Sequence, residues 1–487
     1  MKPPGGILLS ICLACAAPAP GPAQEVAVTR GPYLQALLET SVEILWRTSV
    51  PGVGAVRCSA EDVPPFEARE AAAGEFHRVR LSGLSRGTLY AYEVLHDGAV
   101  LRSGEGQALR FRFRTSPGAN QGTFRVAVVG DSGTGNASQQ AIATVIKATA
   151  PDLFLHTGDI DYTYDVDRSV FGPYRDIFPE ACFYPSMGNH DWSLPWGELF
   201  VPPSRSPDEE GTYYSFDWGS AHFAALNTTD DLEPGSEQLQ WLIEDLEKAK
   251  GSGLRWTILY FHHPVITVGP YYRSRYAVRS VIPPIADHYK VDLVLTGHDH
   301  NFQMSHPVSN WVVRDAWQYP AFVSPRGTLY VVTGGGGGVL YPEVASADHR
   351  FSRTFLQEYH CLRIDISATE ISLDVLGSGG ARLDSFTLTK EGERPTLSFL
   401  RGDADFNRKL ELGDAVVILE YLFLGGHLDC PGAARVEDAG SEPSLADAIY
   451  ILSYLFLGGS PPSSPFPECG PAPAADDAWC LRAGCGD

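Results

Sequence analysis

Five short blocks occur in a fixed order along this chain: GDSG (130–133), GDIDY (158–162), GNHD (188–191), FHHP (261–264) and GHDH (297–300). They follow or lie near apolar, β-like runs such as FRVAVVG, DLFLHTG, WTILYF and VDLVLTG. Residues placed just after strands converge at one rim of a sheet. The blocks therefore predict that Asp131, Asp159, Tyr162, Asn189, His190, His262, His298 and His300 meet in space. Carboxylate, amide and phenol oxygens suit hard cations, and imidazoles add affinity for iron, zinc or manganese. The set amounts to a dinuclear metal centre.

Two cations about 3.5–4 Å apart do what phosphoryl transfer to water requires. They neutralise charge on the phosphoryl oxygens and make a nucleophile available at neutral pH. One carboxylate has to bridge them, and Asp159, after a strand and in a Gly-lined loop, is the natural bridge. The chain carries 59 acidic against 37 basic residues, a net charge of −22. That balance opposes binding to nucleic acid or anionic membranes as a general property, so an anionic substrate has to be attracted locally, by metals or arginines.

A length of 487 residues with 44% hydrophobic content predicts several domains with real cores. Residues 1–24 read as a signal peptide: Lys2, an apolar stretch from Ile7 to Ala17, then a small-residue, Pro-rich tail ending near Gln24. A secreted, periplasmic or extracellular location follows, and no later run is long and apolar enough to span a membrane. Cys430, Cys469, Cys480 and Cys485 crowd the tail and predict disulfides there, whereas Cys182 is expected to be buried and free.

The fold class expected is multidomain. Residues 25–117 alternate in short strands broken by Gly and Pro, the pattern of a β-sandwich. The stretch GLSRGTLYAYEV, with Tyr90 and Tyr92 after a turn, resembles the tyrosine corner of fibronectin type III modules. His77 and His96 are expected at its surface. Over 122–390, β-runs alternate with helical stretches such as ASQQAIATVIKATA and SEQLQWLIEDLEKAK, predicting a central α/β or α+β catalytic domain. A polar linker, 391–400, leads into 401–487.

That last region is duplicated: DAVVILEYLFLGG (414–426) returns 33 residues later as DAIYILSYLFLGG (447–459). Before the first copy, Asp403, Asp405, Asn407, Glu411 and Asp414 stand at positions 1, 3, 5, 9 and 12 of a loop opening a helix, the oxygen spacing of an EF-hand-like Ca²⁺ loop. With Asp at position 12 the loop resembles those of type I dockerin modules, which implies a cohesin-like partner. The second loop (436–447) keeps Asp438 and Asp447 but has Val436 and Gly440 at ligand positions, so its calcium site is weak or lost.

Over about 27–390 the chain resembles the purple acid phosphatases of the calcineurin-like metallophosphoesterase superfamily, whose blocks are DxG, GDxxY, GNH(D/E), VxxH and GHxH. Only the fourth departs, reading ILYFH here. The resemblance implies that Asp131, Asp159, Tyr162 and His300 hold Fe³⁺, with Tyr162 the source of a charge-transfer colour. It implies that Asp159, Asn189, His262 and His298 hold Fe²⁺, Zn²⁺ or Mn²⁺, and that metal-bound hydroxide is the nucleophile. His190 would face the substrate phosphate, oriented or tuned by Asp191. Where some members carry a further catalytic histidine this chain has Tyr271 and Tyr272, which makes Tyr272, Arg273 and Arg275 candidate substrate contacts. His263 is expected to point away from the metals, and the run GGGGG (334–338) to form a tight turn near their rim.

The leading expectation is a secreted phosphomonoesterase acting on a phosphate ester. A phosphodiesterase or phospholipid-headgroup hydrolase on the same metals is the alternative. A third, of another class, is a dockerin-type assembly or attachment protein with a vestigial centre.

Overall fold

The structure, a computed structural model, describes residues 26–102, 107–203, 211–272, 275–390, 398–424, 428, 430–436, 443–471 and 485. The expected signal segment, Arg273, Asp438 and most of the linker lie outside the described residues.

Residues 28–114 build two antiparallel sheets. One orders Val28–Gln35, Ser41–Gly52 and Gly74–Ser82. The other sets Gly54–Ala60 between Val63–Arg69 and Leu89–His96, and Leu89–His96 also pairs with Arg110–Arg114. Period-two alternation decides which side faces in: along Gly74–Ser82, His77, Val79 and Leu81 are buried while Arg78, Arg80 and Ser82 are exposed. Trp46, Val56, Val79, Tyr92 and Phe113 from both sheets share one core. The Tyr90 hydroxyl accepts from the Ser85 N–H at 2.9 Å, and the Tyr92 hydroxyl donates to the Pro179 carbonyl at 2.8 Å, tying this region to the body.

His77 and His96 are buried, against the surface position expected for them. His77 stacks on Trp46 and is hydrogen-bonded through both ring nitrogens, to Thr48 and Glu70. The inward phase of the alternation places it; its polarity is accommodated by those two partners.

The body consists of two seven-stranded sheets packed face to face. The first orders Cys182–Pro185, Leu153–His156, Phe124–Val129, His360–Ile366, Glu370–Gly377, Arg382–Thr389 and Ala321–Val323. The second orders Tyr214–Trp218, Ala221–Ala225, Trp256–Tyr260, Leu293–Thr296, Leu329–Thr333, Phe302–Ser305 and Ser352–Leu356. Between them lie Val126, Leu155, Tyr184, Phe216, Ile258, Leu295 and Leu362. Helix Ala137–Thr149 covers the outer face of the first sheet. Glu237–Gly251 and Tyr276–Tyr289 cover that of the second. The first and second of these helices start at Asn136 and Ser236, whose side chains cap Gln139 and Leu239 N–H groups.

Neighbouring strands run parallel in each sheet: Phe124–Val129, Leu153–His156 and Cys182–Pro185 in one, and Ala221–Ala225, Trp256–Tyr260, Leu293–Thr296 and Leu329–Thr333 in the other. Their carboxyl ends reach the same rim, which is where all five blocks fall.

Beyond residue 398, helices Leu412–Leu424 and Leu445–Leu457 pack together through Ala415, Ile418, Ala448 and Ile451. Cys469 and Cys485 form a disulfide, and Cys430 is also disulfide-bonded. Cys58, Cys182 and Cys361 are buried and free.

Candidate metal centre

The turns after the parallel strands are tight enough to force L-residues into left-handed backbone. Asp131, Asp159 and His298 have φ of 56°, 55° and 68°. Each such residue costs about 1–3 kcal/mol and persists only where its surroundings hold it. Glycines make the approach possible. Gly158 (φ 94°) lies where a Cβ would come within 2.7 Å of the His262 ring, and at Gly338 a Cβ would meet the His300 ring at 2.6 Å. The GGGGG run thus forms the floor beneath the ligands, with the Gly336 and Gly338 N–H groups donating to the carbonyls of Gly130 and Asp131.

Two groups of donor atoms result. In one, Tyr162 Oη is 3.2 Å from Asp131 Oδ1, 3.1 Å from Asp159 Oδ2 and 3.1 Å from His300 Nε2, and His300 Nε2 is 3.4 Å from Asp131 Oδ1. In the other, His262 Nε2 is 3.3 Å from Asp159 Oδ2 and 3.1 Å from both Asn189 Oδ1 and His298 Nδ1. Ligands held about 2.1 Å from one cation stand about 3.0–3.4 Å apart, at octahedral to tetrahedral angles. Both groups have that spacing, so the residues fit two cations, and Asp159 Oδ2 belongs to each group.

The supporting bonds fix the tautomers. His262 Nδ1 donates to the Thr157 carbonyl at 3.0 Å and His300 Nδ1 to that of Val339 at 2.8 Å, so both Nε2 atoms turn inward. Burial alone would lower the His262 pKa, but the Asp159 and Asp131 carboxylates push it up to about 9. Burial conversely favours neutral Asp159, yet His262 holds that carboxyl well below its usual range. Burial, with His262 alongside, depresses His298 to about 3. Without metal His262 thus favours its protonated form, and a cation at Nε2 has to displace that proton.

His190 projects into the cleft with its side chain 52% exposed, its ring 4.7 Å from that of Tyr162. Asp191 is buried beneath the loop. Its oxygens accept from the N–H groups of Asp159 (2.9 Å), Gly188 (2.8 Å), Ile160 (2.9 Å) and Asp161 (3.2 Å). It braces the ligand-bearing backbone rather than lying against the imidazole.

His263 does not point away: its ring packs 4.5 Å from that of His298, and Nδ1 bonds the Thr228 hydroxyl at 2.8 Å. Tyr272 and Arg275 are not brought to the cleft. Tyr272 Oη lies 3.2 Å from Ser346 Oγ, and the Arg275 guanidinium donates to the Thr229 carbonyl at 3.1 Å. The cleft is lined instead by Tyr271, Tyr341, Val339 and Thr134 beside the ligand residues. Tyr271 stands where some members carry a further histidine, but the expectation falls on its neighbour Tyr272; Tyr341 and Thr134 carry no signal in motif spacing.

In the C-terminal region, oxygens of Asp403, Asp405 and Asp414 lie within 4.8 Å of one another. The Asn407 amide donates to Asp405 and Glu411, each at 3.0 Å. Burial, and for each a neighbouring carboxylate, push Asp403 and Asp414 up to about 6.

Residues 124–302 match the sequence model of the calcineurin-like phosphoesterase family. This segment is a calcineurin-like metallophosphoesterase domain. Human acid phosphatase type 7 is 28% identical over 339 residues, covering 61% of this chain and 75% of that protein. Purple acid phosphatase 15 of Arabidopsis thaliana is 27% identical over 313 residues, 56% of each chain. The purple acid phosphatase PPD1 from yellow lupin seeds shares the fold, with a TM-score of 0.62 at 19% identity over 74% of each chain. The metallophosphoesterase domain, with these acid phosphatase relatives, is that of a metal-dependent phosphoester hydrolase.

Proposed function

We propose that the chain is a secreted dinuclear-metal phosphohydrolase that cleaves phosphate monoesters, similar in action to purple acid phosphatases. The observation that carries this reading is the pair of donor groups sharing Asp159 Oδ2, each spaced for one cation. Asp131, Asp159, Tyr162 and His300 would hold Fe³⁺; Asp159, Asn189, His262 and His298 would hold Fe²⁺, Zn²⁺ or Mn²⁺. When bound, the pair supplies charge neutralisation at phosphoryl oxygens and lowers the pKa of water.

The protein's own part is orientation and proton transfer. The His190 imidazole, open to the cleft, donates to a phosphoryl oxygen or protonates the leaving oxygen. The Tyr162 ring supports it from one side, and the Asp191 cap holds the loop from which it projects. Among the described residues lining the cleft there is no lysine or arginine. That favours a second reading, a phosphodiesterase, because a diester carries one charge fewer.

We read the flanking regions as a fibronectin type III-like module (25–117) and a dockerin-like module (401–487) binding Ca²⁺ through Asp403, Asp405, Asn407, Glu411 and Asp414. On the two C-terminal helices, Leu412, Val416, Phe423 and Leu424 are exposed, and so are their repeats 33 residues on, Leu445, Ile449, Phe456 and Leu457. This duplicated apolar stripe supports a cohesin-like partner.

Metal analysis with a visible spectrum, alongside hydrolysis of an activated aryl monoester and its diester, tests the reading. Two metals, a tyrosinate-to-iron band and monoester preference are expected. Diester preference would promote the second reading, and an empty, inactive centre in folded protein would remove both.

A further inference from the structure

Two tyrosines outside the donor set form one wall of the cleft. Tyr271 packs on His298 with ring centroids 4.2 Å apart, and Tyr341 stacks on His300 at 4.2 Å and 10°. The two tyrosine rings are 5.8 Å from each other. Tyr271 remains 39% exposed. The ring pair therefore presents a continuous aromatic surface next to the atoms that would hold the metals.

This wall is fixed rather than adaptable. Asp299, buried between the two histidines of GHDH, accepts from the Tyr271 N–H at 3.3 Å and from the Thr267 hydroxyl at 2.5 Å. Gln303 accepts from the Val268 N–H at 2.7 Å and donates to Thr267 at 2.9 Å. Tyr341 is held from the turn that carries Asp299: its N–H donates to the His300 carbonyl at 2.9 Å, and its own carbonyl accepts from Asn301 at 3.3 Å. A pocket wall ordered before binding loses little entropy on binding, which favours rigid, flat ligands.

The cleft measures about 320 Å³, at the small end of ligand sites, and its described lining carries no lysine or arginine. Recognition of whatever is attached to the phosphate must then come from ring surface rather than charge. Resting on the phosphoesterase reading above, we propose that Tyr271 and Tyr341 select phosphate esters whose alcohol part is flat, apolar and uncharged, with Tyr271 as the specificity-determining residue.

The test uses the full-length, metal-loaded chain and two non-hydrolysable probes, phenylphosphonate and methylphosphonate, with affinities measured by calorimetry. The phenyl compound should bind about five- to tenfold more tightly, the advantage an aromatic pair confers. Tyr271→Ala should shrink that ratio to about twofold or less with both metals retained, while Tyr271→Phe should preserve it, since the ring and not the hydroxyl makes the contact. Equal affinities in the wild type, or an unchanged ratio in Tyr271→Ala, would overturn the assignment while aryl phosphate hydrolysis by the wild type left the phosphoesterase reading standing. A metal-loaded wild type that hydrolysed no ester would overturn both.

Discussion

Asp191→Asn separates a bracing role from a catalytic one. The carboxylate receives four backbone N–H groups, Asp159 and Gly188 on one oxygen, Ile160 and Asp161 on the other. An asparagine in the same place offers one oxygen, so whichever way it is turned, two buried N–H groups face an NH₂. Each orphaned donor costs about 1–3 kcal/mol, giving about 2–6 kcal/mol in all. At about 2–4 °C per kcal/mol for a body of this size, the transition should fall by on the order of 10 °C. Because those donors belong to the loops carrying Asp159 and Asn189, metal content should fall as well. Thermal unfolding and elemental analysis measure both. A variant within about 2 °C of wild type, with two metals and reduced turnover, would refute the argument and return Asp191 to service on His190.

His190→Ala should slow turnover about a hundredfold to ten-thousandfold with both metals present, whereas Asp159→Ala should lose both; loss of metal from the histidine variant would move His190 into the donor set. Burial depresses His360 to about 4, below its unfolded value near 6.5, so the stability tied to its neutral form is complete above about pH 6.5 and declines as pH falls toward 4. By linkage that loss is about 3 kcal/mol, and His360→Gln should flatten the pH dependence of chemical denaturation over that window. In the C-terminal region, Ca²⁺ added to calcium-depleted protein should raise the unfolding temperature of the wild type but not of Asp405→Ala; equal responses would argue against the calcium loop.

What the sequence made legible followed from periodicity and from spacing. Apolar runs before each block located the parallel strands, and Gly-flanked Asp and His residues located the rim, because a residue just past a strand has few places to go. The tyrosine wall was less accessible. Tyr341 reaches His300 only because the glycine run folds beneath the donors, a tertiary fact with no local signature. The burial of His77 and the packing of His263 against His298 are illegible for a related reason: a histidine's sequence neighbours do not reveal whether Thr48 and Glu70, or Thr228, will arrive to satisfy it inside. Asp191 belongs to the same group, since its neighbour His190 suggested partnership while four amides claimed its oxygens.

The donor atoms come from both seven-stranded sheets: Asp131, Asp159, Tyr162 and Asn189 from turns of the first, His262, His298 and His300 from turns of the second. Neither half of the body owns a complete set. A cation bound there is a cross-link between the two sheets, so loading is a test that the two halves have docked in register. Metal content per chain thus serves as an assay of correct assembly, and a variant that misdocks the sheets far from the rim should reveal itself first as an empty centre.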